Sequence, residues 1–164
     1  MKYQQSQTDI MNRSGTKIEK YNIQFDSLLE LDVYEEFLNR GIELKRGEPI
    51  KVFEPFNASI ICYSNDNKKF EFKQESSSIR GIEYTPDFIL NNNIYIELKG
   101  FANETFRYRW KLFKQYITEN KPDSKIFLVR RRHNGRVKPK DNKARIIETK
   151  QIVDSIIKLS ENEK

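Results

Sequence analysis

Two apolar runs, Ile82–Leu90 and Ile94–Leu98, meet at Asn91-Asn92-Asn93, and this pattern constrains the fold more than any other in the chain. Asparagine tolerates the left-handed backbone region because its short amide bonds locally. Three of them between strand-like runs therefore predict a tight turn and an antiparallel hairpin. Successive strand side chains point to opposite faces, so Tyr95, Glu97 and Lys99 share one face and Ile94, Ile96 and Leu98 the other. Pro86 lacks the N–H that a ladder needs, which predicts a strand end or bulge just before Asp87. The turn then brings Asp87 close to Glu97 and Lys99.

The flanking segments can be read the same way. Leu29, Val33 and Phe37 recur at i, i+4, i+8 and predict a helix over about 27–40, with Leu28, Leu31, Tyr34 and Leu38 widening its apolar face. Asp26 or Ser27 is its cap, and Gly41 ends it. Ile42–Lys45, Ile50–Glu54, Ala58–Ser64 and Lys68–Lys73 read as strands, with a turn at Asn65-Asp66-Asn67 and a loop over Gln74–Arg80. A helix follows over about 104–120, capped by Asn103, with Phe106, Trp110, Phe113 and Ile117 as its apolar stripe. Lys125–Arg130 is a strand, residues 131–145 a basic loop, and about 149–160 a last helix carrying Ile152, Val153, Ile156, Ile157 and Leu159. Residues 1–20 are polar and are expected to be a mobile arm, leaving 21–164 as one domain. The order of elements implies an α/β or α+β fold with a mixed central sheet flanked by helices.

Composition narrows the function classes. No apolar stretch approaches the roughly 20 residues that span a bilayer, and no apolar run follows Met1, so neither a membrane protein nor a secretory signal is expected. Cys62 is the only cysteine, which excludes a disulfide scaffold and suggests a reduced, intracellular setting. His133 is the only histidine, too few for histidine-metal chemistry, and there is no Gly-rich phosphate loop. The net charge of +6 hides an asymmetry. Residues 99–145 hold fifteen Lys or Arg against four Asp or Glu, a balance of +11, so the rest of the chain carries −5. A basic half beside an acidic half points to a polyanionic partner; the bland alternative is a solvated basic surface.

Asp87, Glu97 and Lys99 carry the chemistry. Two carboxylates and an ammonium converging at a sheet edge suit Mg²⁺ or Mn²⁺, which take hard oxygen ligands and act on phosphates. A nearby lysine can orient water or offset developing charge. The other reading of Glu97-Leu98-Lys99 is a surface salt bridge, which contributes little.

Pro86-Asp87 followed by Glu97-Leu98-Lys99 resembles the signature of the PD-(D/E)XK nuclease superfamily. Tyr84-Thr85-Pro86-Asp87-Phe88 and Ile96-Glu97-Leu98-Lys99-Gly100 are closer still to the small phage nucleases of the endonuclease I type, which resolve Holliday junctions. The resemblance covers about residues 27–45 and 82–130, and the interval from Gly41 to Asp87 is longer than in that group. It implies a restriction-endonuclease-like fold and a Mg²⁺-dependent endonuclease in the cytoplasm of a phage-infected bacterium. Asp87 and Glu97 would be metal ligands, Leu98 would add its backbone carbonyl, and Lys99 would position the attacking water. Glu30, in the first helix, resembles that group's helical acid; its bland alternative is a first-turn acid favoured by the helix dipole. A homodimer is implied as well.

The basic residues fit DNA, duplex or branched. Arg107, Arg109, Lys111 and Lys114 on the second long helix, and Arg130, Arg131, Arg132, Arg136, Lys138 and Lys140 after it, are expected to meet phosphates without reading sequence. The alternatives are a linear-duplex or packaging-associated nuclease and a non-catalytic DNA-binding module of the same fold. A third is a structural domain, which leaves the +11 segment unexplained.

Overall fold

The computed structural model describes residues 17–64, 71–100, 103–130 and 142–161. These hold ten strands and three helices in an α+β arrangement that includes a mixed sheet. The chain divides into two compact units, residues 1–43 with 137–164 and residues 44–136, so the stretch 21–164 expected as one domain is shared between them.

The first unit contains β1 (Ile18–Lys20), β2 (Ile23–Phe25), α1 (Leu28–Asn39) and α3 (Asn142–Glu161). The polar arm expected over 1–20 ends sooner than its composition suggests. Ile18–Lys20 pair antiparallel with Ile23–Phe25 through a turn at Tyr21 and Asn22, both at positive φ; residues 1–16 lie outside the described residues. Helix α1 starts where its cap predicts, with Ser27 Oγ accepting from the Glu30 N–H at 3.2 Å. It ends in a Schellman motif: Gly41 N–H donates to Leu38 O at 2.9 Å and Ile42 N–H to Phe37 O at 3.0 Å. Gly41 sits at φ +71°, where a Cβ is costly. Leu29, Val33 and Phe37 are buried as expected, whereas Leu28 and Leu38 face solvent.

Helix α3 begins at Asn142, seven residues before the apolar period does. The end of the expected basic loop is therefore helical, built from good helix formers and tied to α1 by Arg145 Nε, 3.2 Å from Asp32 Oδ2. Thr149, Val153 and Ile156 form its buried stripe, while Leu159 is exposed.

The second unit contains β3 (Lys45–Arg46), β4 (Ile50–Phe53), β5 (Phe56–Ser64), β6 (Glu71–Ile79), β7 (Ile82–Tyr84), β8 (Phe88–Leu90), β9 (Ile94–Lys99), α2 (Glu104–Asn120) and β10 (Lys125–Arg130). The four-stranded sheet runs β10-β9-β8-β3; β9 and β10 are parallel and the other pairs antiparallel. A parallel pair needs a crossover, and α2 supplies it. β4 pairs with β7, and β5 with β6, as separate two-stranded sheets.

Three expectations are corrected here. Ile42–Lys45 is not a strand; pairing starts at Lys45, against Ile89. Of the loop expected over Gln74–Arg80, all but Arg80 belongs to β6, which pairs residue by residue with β5 through Phe56↔Ile79. Cross-strand partners such as Gln74 Nε2 and Ser59 Oγ, 2.8 Å apart, offset the low strand preference of serine and glutamine. Ile82–Leu90 is two strands, split at residues 85–87 as Pro86 predicts. The Asn65–Asn67 turn lies outside the described residues, and Cys62 is half-buried on β5.

The core of this unit is aromatic. Phe106, Trp110, Phe113 and Ile117 of α2 pack on Tyr84 and Tyr95, with Tyr84 stacked on Phe113 at 4.5 Å between ring centroids. Burying such side chains contributes about 1.5–3 kcal/mol each. Asn103 caps α2 as expected, accepting from Phe106 N–H at 2.8 Å. No helix among the described residues is long and apolar enough to cross a membrane.

Candidate functional site

The β8–β9 register is Phe88↔Ile96, Ile89↔Tyr95 and Leu90↔Ile94, closed by Asn91 and Asn92 at positive φ. Continued by one residue, it sets Asp87 across from Glu97. Asp87 lies just outside the ladder, so its side chain can turn back onto β9, and Oδ2 accepts from the Leu98 N–H at 2.6 Å. A charged acceptor on a backbone donor at this distance is a strong, orienting bond.

The loop carrying Asp87 is wedged from behind. Pro86 is fully buried, and Gly47 N–H donates to Asp87 O at 3.2 Å. A Cβ on Gly47 would stand 1.7 Å from Pro86 O, so only glycine permits this approach.

Glu97 points to the α2 side of β9 and is 4% exposed. Lys99, two residues on, reaches the same side, with Nζ 3.6 Å from Glu97 Oε1 and 4.6 Å from the centre of the Phe106 ring. The Lys99 side chain stays partly solvated. The parallel register places Arg130 beside Lys99, and Arg130 is exposed. Acid, ammonium and guanidinium thus gather at the carboxyl ends of the two parallel strands, the end at which open α/β sheets bind ligands.

Tyr84 is a member of this cluster that sequence reasoning missed. Its phenol is held well above the ordinary tyrosine range, first by burial and then by the neighbouring Glu97 carboxylate, with Asp87 adding and Arg109 opposing. The alternation Ile82-Glu83-Tyr84 signals that Tyr84 points inward, but nothing local says that it reaches Glu97.

Glu30 belongs to the first unit and is buried there. Its Oε2 accepts from Asp26 N–H at 3.1 Å and its Oε1 from the Ser27 hydroxyl at 2.9 Å, reciprocating the cap that Ser27 provides. This is a variant of the capping box, in which the N–H of Asp26 before the cap takes the place of the cap residue's own. The structure thus brings Asp87, Glu97 and Lys99 together, with Leu98 donating its N–H to Asp87, and gives Glu30 a local role at the start of α1. Among the described residues, no group of three or more His, Cys, Asp or Glu stands arranged to hold a metal ion.

Of the expected phosphate contacts, Arg107, Lys111 and Lys114 are exposed on α2. Arg109 is also exposed, but its guanidinium donates to the carbonyl of Glu83 and so is partly committed to β7. A shallow groove beside it is lined by Gly81, Ile82, Glu83, Glu104, Thr105, Tyr108 and Arg109. Arg131, Arg132, His133, Arg136, Lys138 and Lys140 lie outside the described residues. Trp110, read as core, is buried.

Comparison of the chain with protein-family models, with curated proteins and with solved structures finds no match.

Proposed function

We propose that this chain is a divalent-metal-dependent endonuclease that hydrolyses DNA phosphodiester bonds from a PD-(D/E)XK arrangement in its second unit. The observation that carries the reading is the convergence of Asp87, Glu97 and Lys99 at one end of β8 and β9, with Arg130 beside Lys99. A surface salt bridge does not account for it. Glu97 is 4% exposed, whereas both groups of a surface pair stay in water.

The donor set fits Mg²⁺ or Mn²⁺: Asp87 and Glu97 offer hard carboxylate oxygens, and Leu98 between them in the cluster can add its carbonyl. A bound ion supplies polarisation of a phosphoryl oxygen and a lower pKa for a coordinated water. The chain's own residues do the rest. The Leu98 N–H fixes the rotation of Asp87, and Lys99 orients the attacking water and offsets charge that develops on the phosphate. Arg130 and the exposed Arg107, Lys111 and Lys114 hold phosphates of the backbone, which positions DNA without specifying sequence. The finer part of the reading rests on the resemblance of Tyr84–Gly100 to the resolving nucleases. It comprises four-way junctions as substrate, a homodimeric enzyme, and action in the cytoplasm of a phage-infected cell.

The test is cleavage of a four-way junction and a matched linear duplex, with Mg²⁺ or EDTA, by the wild type and Lys99→Ala. Cutting that needs both Mg²⁺ and Lys99 is expected. Equal cutting of both substrates removes the junction preference and leaves the nuclease. DNA binding with no cutting of either turns the reading into a non-catalytic DNA-binding module.

A further inference from the structure

Two tyrosine hydroxyls are buried in the core of the second unit, and only one is explained by its surroundings. Tyr95 OH accepts from Lys121 Nζ at 2.7 Å. Tyr84 OH is buried and ends against Glu97 without reaching full hydrogen-bond geometry to any described group. A phenylalanine would fill the same ring space, and a buried hydroxyl is costly unless something needs it. The ring cannot swing away. It stacks on Phe113 at 4.5 Å and tilts against Trp110 at 5.7 Å, so the direction of the O–H bond's oxygen is set by packing. Glu97, Asp87 and Arg109 are the charges that act on that oxygen, and the Arg109 guanidinium is engaged by Glu83 O.

We propose that Tyr84 is a positioning residue for Glu97. With the divalent cation bound, its hydroxyl donates to that carboxylate and fixes its rotation, so that one constant oxygen geometry faces the cation and Lys99. This rests on the reading of Asp87 and Glu97 as metal-binding groups. Partners that orient ligating carboxylates are worth about 10- to 100-fold in metal affinity. The rigid aromatic pack of α2 is thereby coupled to the site through Tyr84, as it is to Lys99 through Phe106.

The test is calorimetric titration of Mn²⁺ alone into the metal-free full chain, with thermal unfolding of each protein in parallel. The proteins are the wild type, Tyr84→Phe and Glu97→Gln. Tyr84→Phe is expected to bind Mn²⁺ at least about tenfold more weakly while its metal-free unfolding temperature stays near that of the wild type. A merely structural tyrosine would leave the Mn²⁺ affinity alone. Affinity of Tyr84→Phe within about twofold of wild type, with Glu97→Gln clearly weakened, overturns the role of Tyr84 and leaves the metal site standing. A wild type that binds no Mn²⁺ overturns both.

Discussion

Replacing Gly47 with alanine should damage both the fold and the site, because Gly47 is the residue against which the Asp87 loop is built. The new methyl would lie 1.7 Å from Pro86 O, 2.7 Å from its carbonyl carbon and 3.0 Å from its Cγ. Non-bonded carbon contacts settle near 3.5–4 Å, so the two backbones must part by about 1.5 Å or more. Neither can do so cheaply. Pro86 is fully buried, and Asp87 is tied on one side by Gly47 N–H and on the other by Leu98 N–H. Overpacking typically costs about 1–3 kcal/mol, and a clash of backbone with backbone belongs at the upper end. At about 2–4 °C per kcal/mol for a chain of this size, Gly47→Ala should unfold roughly 6–12 °C lower. Thermal unfolding by circular dichroism measures this, and Mn²⁺ titration of the same protein should show weaker binding, because the displaced segment carries Asp87. An unfolding temperature within about 2 °C of wild type, together with unchanged Mn²⁺ affinity, would refute the close approach and the wedge derived from it.

Three further outcomes are expected. Replacing Arg107, Lys111 and Lys114 together by alanine should flatten the dependence of log K on log salt for duplex DNA by roughly 2–3 units, read by fluorescence anisotropy across a salt series; an unchanged slope removes α2 from the interface. Ser27→Ala should cost about 1–2 kcal/mol, since it removes the α1 cap and a donor to buried Glu30; thermal unfolding at neutral pH checks it, and an unaltered transition would mean the cap is idle. Burial holds the folded-state pKa of Tyr84 above its ordinary value of 10.0, so the unfolded chain loses that proton first as pH rises. This contribution to stability is whole below pH 10 and falls above it by about 1.4 kcal/mol per pH unit, so alkaline unfolding of Tyr84→Phe should be shallower than that of wild type.

Much of this protein was legible from local patterns. The span and cap of α2, the Gly41 stop of α1, the asparagine turn and the shared face of Glu97 and Lys99 all follow from interactions within a few residues. Helical periodicity, capping and strand alternation are short-range constraints, so a single sequence carries them. Misreadings fell where pairing is distant. The serines of β6 are held by pairing with β5, and the first turns of α3 are tied to α1 through Arg145 and Asp32. The β1–β2 hairpin is a local exception, hidden because each strand is three residues long and half polar.

The cluster divides along the same line. That Asp87, Glu97 and Lys99 meet follows from one short turn and the parity of β9. Which neighbours they have depends on contacts made across the fold. The α2 crossover sets Arg130 beside Lys99, and the Pro86 carbonyl rests on Gly47. Each of these contacts joins residues far apart in the chain. What selects them is burial of the aromatic core of the second unit, a collective quantity that no window of sequence contains.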